Sequence, residues 1–155
     1  MDKLSVERLL KSAESSLQSI DKAYSDYARS YGLSYTGMYI LEVICDRPDG
    51  ITQKELCERT FYNKQTVNMV ITSFFKRGYI RFEELKTDRR HKYVKLTESG
   101  RDFAERAVGE IWRIGTDILD DFTDEEASLF AALLGRYERK FVDEVAKSVD
   151  RRGEV

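Results

Sequence analysis

A cluster of charged side chains, dominated by cations, lies between two short segments of alternating polarity. It comprises Lys86, Asp88, Arg89, Arg90 and His91. Residues 79–83 before it and 92–96 after it alternate apolar and polar side chains. Period-two alternation is typical of half-buried strands. The sequence therefore predicts a hairpin that holds these cations in solvent at its tip, where they could bind an anion such as a phosphate.

The segment before this hairpin predicts an amphipathic helix. Its apolar side chains follow helical spacing, at Val67, Val70, Ile71, Phe74 and Phe75. Its other side carries Lys64, Gln65, Asn68, Met69 and Thr72, and residues 63–77 contain no Asp or Glu. Amides pair with adenine edges, Thr meets a base or a thymine methyl, and a helix N-terminus binds phosphate. This face is suited to lie beside DNA.

The order of these elements predicts a winged helix-turn-helix. A short helix at 52–59 begins with a capping box made by Thr52 and Glu55. A turn, the helix at 63–77 capped by Asn63, and the hairpin follow. In that arrangement the helix enters the major groove, Arg89 or Arg90 enters the adjacent minor groove, and Asp88 orients an arginine. The alternative for the helix pair alone is an ordinary helical hairpin with a neutral face.

The charge distribution agrees with a local anion-binding face. The chain has 155 residues, a net charge of −2 and a single Pro. Residues 53–95 hold eleven Lys/Arg against five Asp/Glu, a balance of +6. The flanks are acidic, at −2 for residues 1–52 and −6 for residues 96–155. This balance argues against a general nucleic-acid binder and favours one basic surface.

The order of elements and one motif resemble the MarR family of bacterial and archaeal transcription regulators. The most specific mark is an Asp-Arg pair in the wing followed by Leu-Thr-x-x-Gly, here Leu96, Thr97 and Gly100. The resemblance implies that Arg89 is the minor-groove residue, held by Asp88. It implies that Lys64, Gln65, Thr66 and Asn68 face bases or phosphates. With the cap Asn63 and with Met69 and Thr72 on the same side of the helix, they complete the predicted DNA-contacting set. The sequence departs from the family at Phe61-Tyr62, which is bulkier than the small residues common there.

The resemblance also implies an obligate homodimer that binds a palindromic operator, with repression as the family default. The first predicted helix carries a heptad-type stripe that needs a covering helix: Leu10, Ala13, Leu17, Ile20, Tyr24, Tyr27 and Tyr31. The expected fold class is mainly α with a small β-wing. The winged helix-turn-helix occupies 33–100, dimerisation helices occupy 1–32 and 101–150, and 151–155 form a frayed tail.

Family members often bind small aromatic or anionic ligands. A candidate pocket comprises Tyr24, Tyr27, Tyr31, Tyr35, Met38, Tyr39 and Trp112, although core and dimer packing would explain the same residues. No metal, cofactor or enzyme activity is expected, because His91 is the single histidine and has no spaced partners. Cys45 and Cys57 are expected to be reduced thiols in a cytoplasmic protein without a membrane span. Two rival classes stay open: a protein–protein interaction module, and a ligand-binding dimer without DNA activity.

Overall fold

The computed structural model describes residues 2–84 and 92–153. These residues form seven α-helices and three short strands, in two compact units with a boundary after Ile111. In chain order the elements are α1 Lys3–Ser30, α2 Tyr35–Cys45, β1 Ile51–Thr52, α3 Gln53–Thr60, α4 Lys64–Lys76, β2 Ile80–Glu84, β3 Lys92–Leu96, α5 Glu98–Ala104, α6 Glu110–Asp120 and α7 Asp124–Gly153. A π-helical turn, Glu105–Gly109, joins α5 to α6.

Local capping residues begin the helices of the first unit. The Ser34 side chain accepts the Gly37 N–H at the start of α2, and Thr52 forms the predicted capping box with Glu55. Gly32 and Gly78, at φ +67° and +73°, follow the ends of α1 and α4, where a left-handed backbone favours glycine. These boundaries agree with the predictions from the sequence.

The core of the first unit is formed by one face of each surrounding element. Its largest fully buried side chains include Met38 and Leu41 of α2, Leu56 of α3 and Phe74 of α4. The strands add Ile51, Ile80 and Val94, and Phe103 and Ala107 close the other side. Burying these side chains on α4 fixes which face of that helix stays in solvent.

The wing is part of a three-stranded antiparallel sheet in the order β1-β3-β2. The predicted pairing of β2 with β3 is present, with Phe82 opposite Val94. Ile51 also pairs with Val94, from the other side. The short helix predicted at 52–59 begins one residue later, at Gln53, because Thr52 is its N-cap and forms β1 together with Ile51.

The helical segment that follows the wing is divided by the π-helical turn. Two carbonyls of this turn accept hydrogen bonds from α1: the Tyr27 hydroxyl donates to the Ala107 carbonyl at 2.7 Å, and the Tyr31 hydroxyl donates to the Arg106 carbonyl at 2.9 Å. The stripe on α1 therefore has two parts. Its C-terminal tyrosines pack on the core, whereas Leu17 and Ile20 are 52% and 63% exposed.

The second unit begins at Trp112 and contains most of α6 and all of α7. Thr123 forms a capping box with Glu126 at the start of α7. The helix continues through residues 151–153, which the sequence suggested would fray. Large apolar side chains along α7 are exposed, among them Leu129, Leu133, Tyr137, Phe141 and Val145.

Candidate nucleic-acid interface

The start of α4 is built to present its polar face. The Asn63 side chain accepts the Thr66 N–H at 2.9 Å and so caps the helix. Val67 and Ile71 are buried beneath, which turns Gln65 and Asn68 outward. Of the seven residues predicted for this surface, Thr66 is half-buried and the other six are exposed.

The first turn of α3 lies beside the start of α4. The Gln53 amide donates to the Lys64 carbonyl at 3.4 Å, a long hydrogen bond that links the two helices of the helix-turn-helix. An open groove of about 650 Å³ runs between α3, α4 and the sheet. Its lining includes Lys54, Lys64, Lys92 and Cys57 over apolar side chains, among them Ile71 and Val94. Gln53 and Lys54 could not be assigned to this surface from the sequence, because only the fold brings α3 against α4.

The described base of the wing carries ion pairs between β2 and β3. The Lys95 ammonium lies 3.2 Å from the Glu83 carboxylate, and Lys92 lies 3.8 Å from Glu84. The Lys92–Glu84 pair is exposed, and exposed ion pairs contribute little to stability. The predicted tip residues Lys86, Asp88, Arg89, Arg90 and His91 lie outside the described residues, so their role stays a prediction.

The Leu-Thr-x-x-Gly motif joins the wing to α5. The Thr97 hydroxyl donates to the Gly78 carbonyl at 2.6 Å and accepts the Gly100 N–H at 3.0 Å. The Leu96 carbonyl accepts from Arg81 at 3.1 Å. Because Gly78 directly follows α4, the motif fixes the position of β2 and β3 relative to the exposed helix face.

The candidate pocket tyrosines of the first unit make specific contacts. The Tyr24 hydroxyl donates to the Glu42 carboxylate, and the Tyr24 ring packs on Tyr35 with centroids 4.8 Å apart. Burial raises the pKa of Glu42 and, helped by that carboxylate, raises the pKa of Tyr24. Met38 is fully buried in the core.

The last two candidate pocket residues belong to different units. Tyr39 packs edge-on against Tyr62, and Trp112, 60% exposed, belongs to the second unit. None of the seven candidates lines the groove beside α4. A ligand role for them stays a prediction.

Other chemistry finds little support within the described part of the chain. Among residues 2–84 and 92–153, no three His, Cys, Asp or Glu side chains come together as a metal site requires. Burial raises the pKa of Cys45 to about 11, which keeps this thiol protonated. No helix of the described chain has the length and apolar character needed to cross a membrane.

Comparison with known proteins identifies the family. A model described as MarR family matches residues 31–91. The HTH-type transcriptional regulator PecS of Dickeya dadantii is 30% identical over 126 residues, which cover 80% of this chain and 76% of PecS. The chain belongs to the MarR family. The HTH-type transcriptional regulator SarZ of Staphylococcus epidermidis is 34% identical over 87 residues, covering 56% of this chain and 58% of SarZ, less than two thirds of that relative.

Solved structures of MarR-like proteins share the fold. AbsC, a MarR family transcriptional regulator from Streptomyces coelicolor, matches with a TM-score of 0.75 at 15% identity, over 92% of this chain and 97% of AbsC. FabT of Streptococcus pneumoniae, solved in complex with DNA, matches with a TM-score of 0.70 at 20% identity, over 92% and 99%. The predicted family and the predicted winged-helix fold class are both confirmed.

Proposed function

We propose that this MarR-family chain is a transcriptional regulator, not an enzyme, that binds double-stranded DNA with α4 in the major groove. The observation that carries the proposal is the polar face of α4. Lys64, Gln65, Asn68 and Thr72 are exposed together, and residues 63–77 contain no acid. A helix face free of carboxylates can approach phosphates, and its amides can read base edges.

The residues assigned to DNA contact fall into two groups: some position the protein on phosphates, and others read base edges or a groove. Lys64 lies at the N-terminus of α4, where an ammonium and free backbone N–H groups suit a phosphate. Gln65 and Asn68 carry amides that pair with adenine N6 and N7. Arg89, by its type and its place in the wing sequence, is assigned to the minor groove with Asp88 as its partner.

The active form in this proposal is a homodimer bound to a palindromic operator. Among the described residues, large apolar side chains are exposed on α1 and, separately, on α7, and exposed apolar surface of this extent calls for a cover. A second copy supplies it, with 1–32 and 101–150 as the dimerisation region and 33–100 as the DNA-binding region. Two-fold symmetry would then place paired α4 helices on half-sites about 34–36 Å apart.

The proposal includes the direction of regulation. The protein represses transcription in the cytoplasm, and a small aromatic or anionic ligand releases it from DNA. FabT supports the DNA element, since that relative of the fold was solved with DNA. PcaV of Streptomyces coelicolor, a transcriptional regulator solved with its natural ligand, supports the ligand element at 19% identity and a TM-score of 0.61. In this chain the tyrosines of α1 and α2 are the residues assigned to such a ligand.

Selection of sites from a pool of random DNA duplexes tests the function. We expect an enriched inverted repeat, and an affinity that falls steeply between two salt concentrations because phosphate contacts release counterions. Lys64→Ala should weaken binding to all duplexes alike and lower the salt slope by about one. No enrichment would contradict the proposal and would favour a protein partner for α4.

A further inference from the structure

Phe61 combines two features that folded chains rarely place in one residue. It ends α3 at φ 57° and ψ 12°, in the left-handed region. The other positive-φ positions of the described chain are Gly32, Gly50 and Gly78, as expected because a Cβ makes this region unfavourable. The Phe61 side chain is also 92% exposed, more than any other large apolar side chain described.

The fold of this chain does not account for the Phe61 ring. The next residue, Tyr62, is half-buried and packs edge-on against Tyr39, with ring centroids 6.3 Å apart. Asn63 then caps α4. The Phe61 ring has no aromatic partner among the described residues. Tyr62 and Asn63 thus anchor the turn, while Phe61 has an unfavourable backbone conformation and leaves its ring in water.

The position and charge around Phe61 indicate what covers it. The residue lies in the turn that leads into the exposed face of α4, with Arg59 and Lys64 exposed on either side in the sequence. Residues 59–77 contain no Asp or Glu. On the same helix face Met69 is 66% exposed. An exposed apolar ring at the start of a helix face without acids is suited to meet the apolar group that DNA presents in its major groove.

We propose that Phe61 is a specificity-determining residue that packs its ring against the 5-methyl group of a thymine in the operator. The inference rests on the proposed function and deepens it, because it names a base contact that the polar face of α4 does not supply. The thymine methyl projects into the major groove and accepts apolar contacts, including those from Phe. Unfavourable backbone conformations cluster at functional sites, where binding rather than folding requires them.

The test combines Phe61→Gly with a scan of the selected duplex in which each thymine is replaced in turn by deoxyuridine, which lacks only the methyl group. Gly relieves the left-handed backbone, so the variant should unfold at the same temperature as the parent protein or higher. We expect the parent protein to lose about fivefold to tenfold in affinity at one thymine. The variant should bind the intact duplex about fivefold to tenfold more weakly than the parent protein does. Its affinity should not change when that thymine is replaced by deoxyuridine.

Phe61→Asn, which also suits the left-handed region but is polar, should repeat the behaviour of the glycine variant. Equal affinity of parent and variants for the intact duplex overturns the inference, as does weaker binding by the variants without a shared thymine position. A change in oligomeric state with unchanged DNA affinity also overturns it and assigns Phe61 to contact between copies. Failure of the proposed function is distinct: the parent protein itself would then select no DNA sequence, and the inference would fall with it.

Discussion

The carbonyl oxygen of Tyr79 occupies the space that a side chain at Gly100 would need. A Cβ built on Gly100 would lie 1.8 Å from that oxygen, well inside any real contact distance. The same carbonyl accepts the Thr97 N–H at 3.0 Å. The glycine of the Leu-Thr-x-x-Gly motif is therefore required by the close approach of α5 to the start of β2.

Gly100→Ala should destabilise the protein. The clash is with backbone, so α5 or β2 must shift, and we expect a loss of about 2–4 kcal/mol in the free energy of unfolding. Urea denaturation followed by circular dichroism measures it. Gly115→Ala is the matched control, because a Cβ there meets nothing within 4 Å. Because Gly115 lies in the interior of α6, Gly115→Ala should raise the free energy of unfolding by about 0.5–1 kcal/mol. Equal effects of the two substitutions would contradict this account of the motif.

The two thiols should differ in reactivity. The pKa of Cys45 is raised to about 11 by burial, so very little of it is thiolate at pH 8. Cys57 lines the open groove beside α4. Alkylation of the native protein with iodoacetamide at pH 8, followed by mass spectrometry of peptides, should label Cys57 well before Cys45. Labelling in denaturant should remove the difference. Faster labelling of Cys45 in the native protein would show that it is not protected as described.

Glu55 should make stability depend on acid pH. The Thr52 N–H donates to its carboxylate at 2.8 Å and lowers the Glu55 pKa below its usual 4.5. A carboxyl whose pKa is lower in the folded state stabilises the fold at pH values above its unfolded-state pKa. This stabilisation is lost as the pH falls through the folded-state pKa. Glu55→Gln should therefore destabilise by about 0.3–1 kcal/mol at pH 7, and the difference should shrink below about pH 4.5. A difference that is constant from pH 7 to pH 3 would contradict this.

Charges placed on the apolar stripe of α1 should separate the proposed dimer. Leu17 and Ile20 are more than half exposed, and a second copy is proposed to cover them. Leu17→Glu with Ile20→Glu should shift the protein to monomers in analytical ultracentrifugation, because the charges would be buried without partners. Ser15→Glu adds a charge on the opposite side of the helix and should leave the dimer intact. A dimer that survives the paired substitution would move the interface away from this stripe.

Features set by neighbouring residues could be predicted from the sequence. The caps made by Thr52, Asn63 and Thr97 use hydrogen bonds that span three positions, so residue types alone locate them. The outward face of α4 followed from the spacing of its apolar residues. The Phe61 ring was noticeable only as a bulky residue, because its left-handed backbone and its exposure depend on how the turn folds.

Features set by distant residues could not be predicted in the same way. The pairing of Ile51 with Val94 joins segments that no local pattern connects. The Tyr27 hydroxyl donates to the Ala107 carbonyl in the π-helical turn, which lies 80 positions away in the sequence. The sequence marked the tyrosines on α1 as candidates for a ligand pocket, but the carbonyls and carboxylates that their hydroxyls contact could be located only in the folded chain.

The measurement that tests the central claim most directly is binding of Gln65→Ala and Asn68→Ala to the selected duplex and to a scrambled duplex at one salt concentration. If α4 reads bases, each variant should lose about 1–3 kcal/mol on the selected duplex, with nearly unchanged affinity for the scrambled one. Binding of both duplexes at the parental affinities would show that the exposed face of α4 does not read DNA.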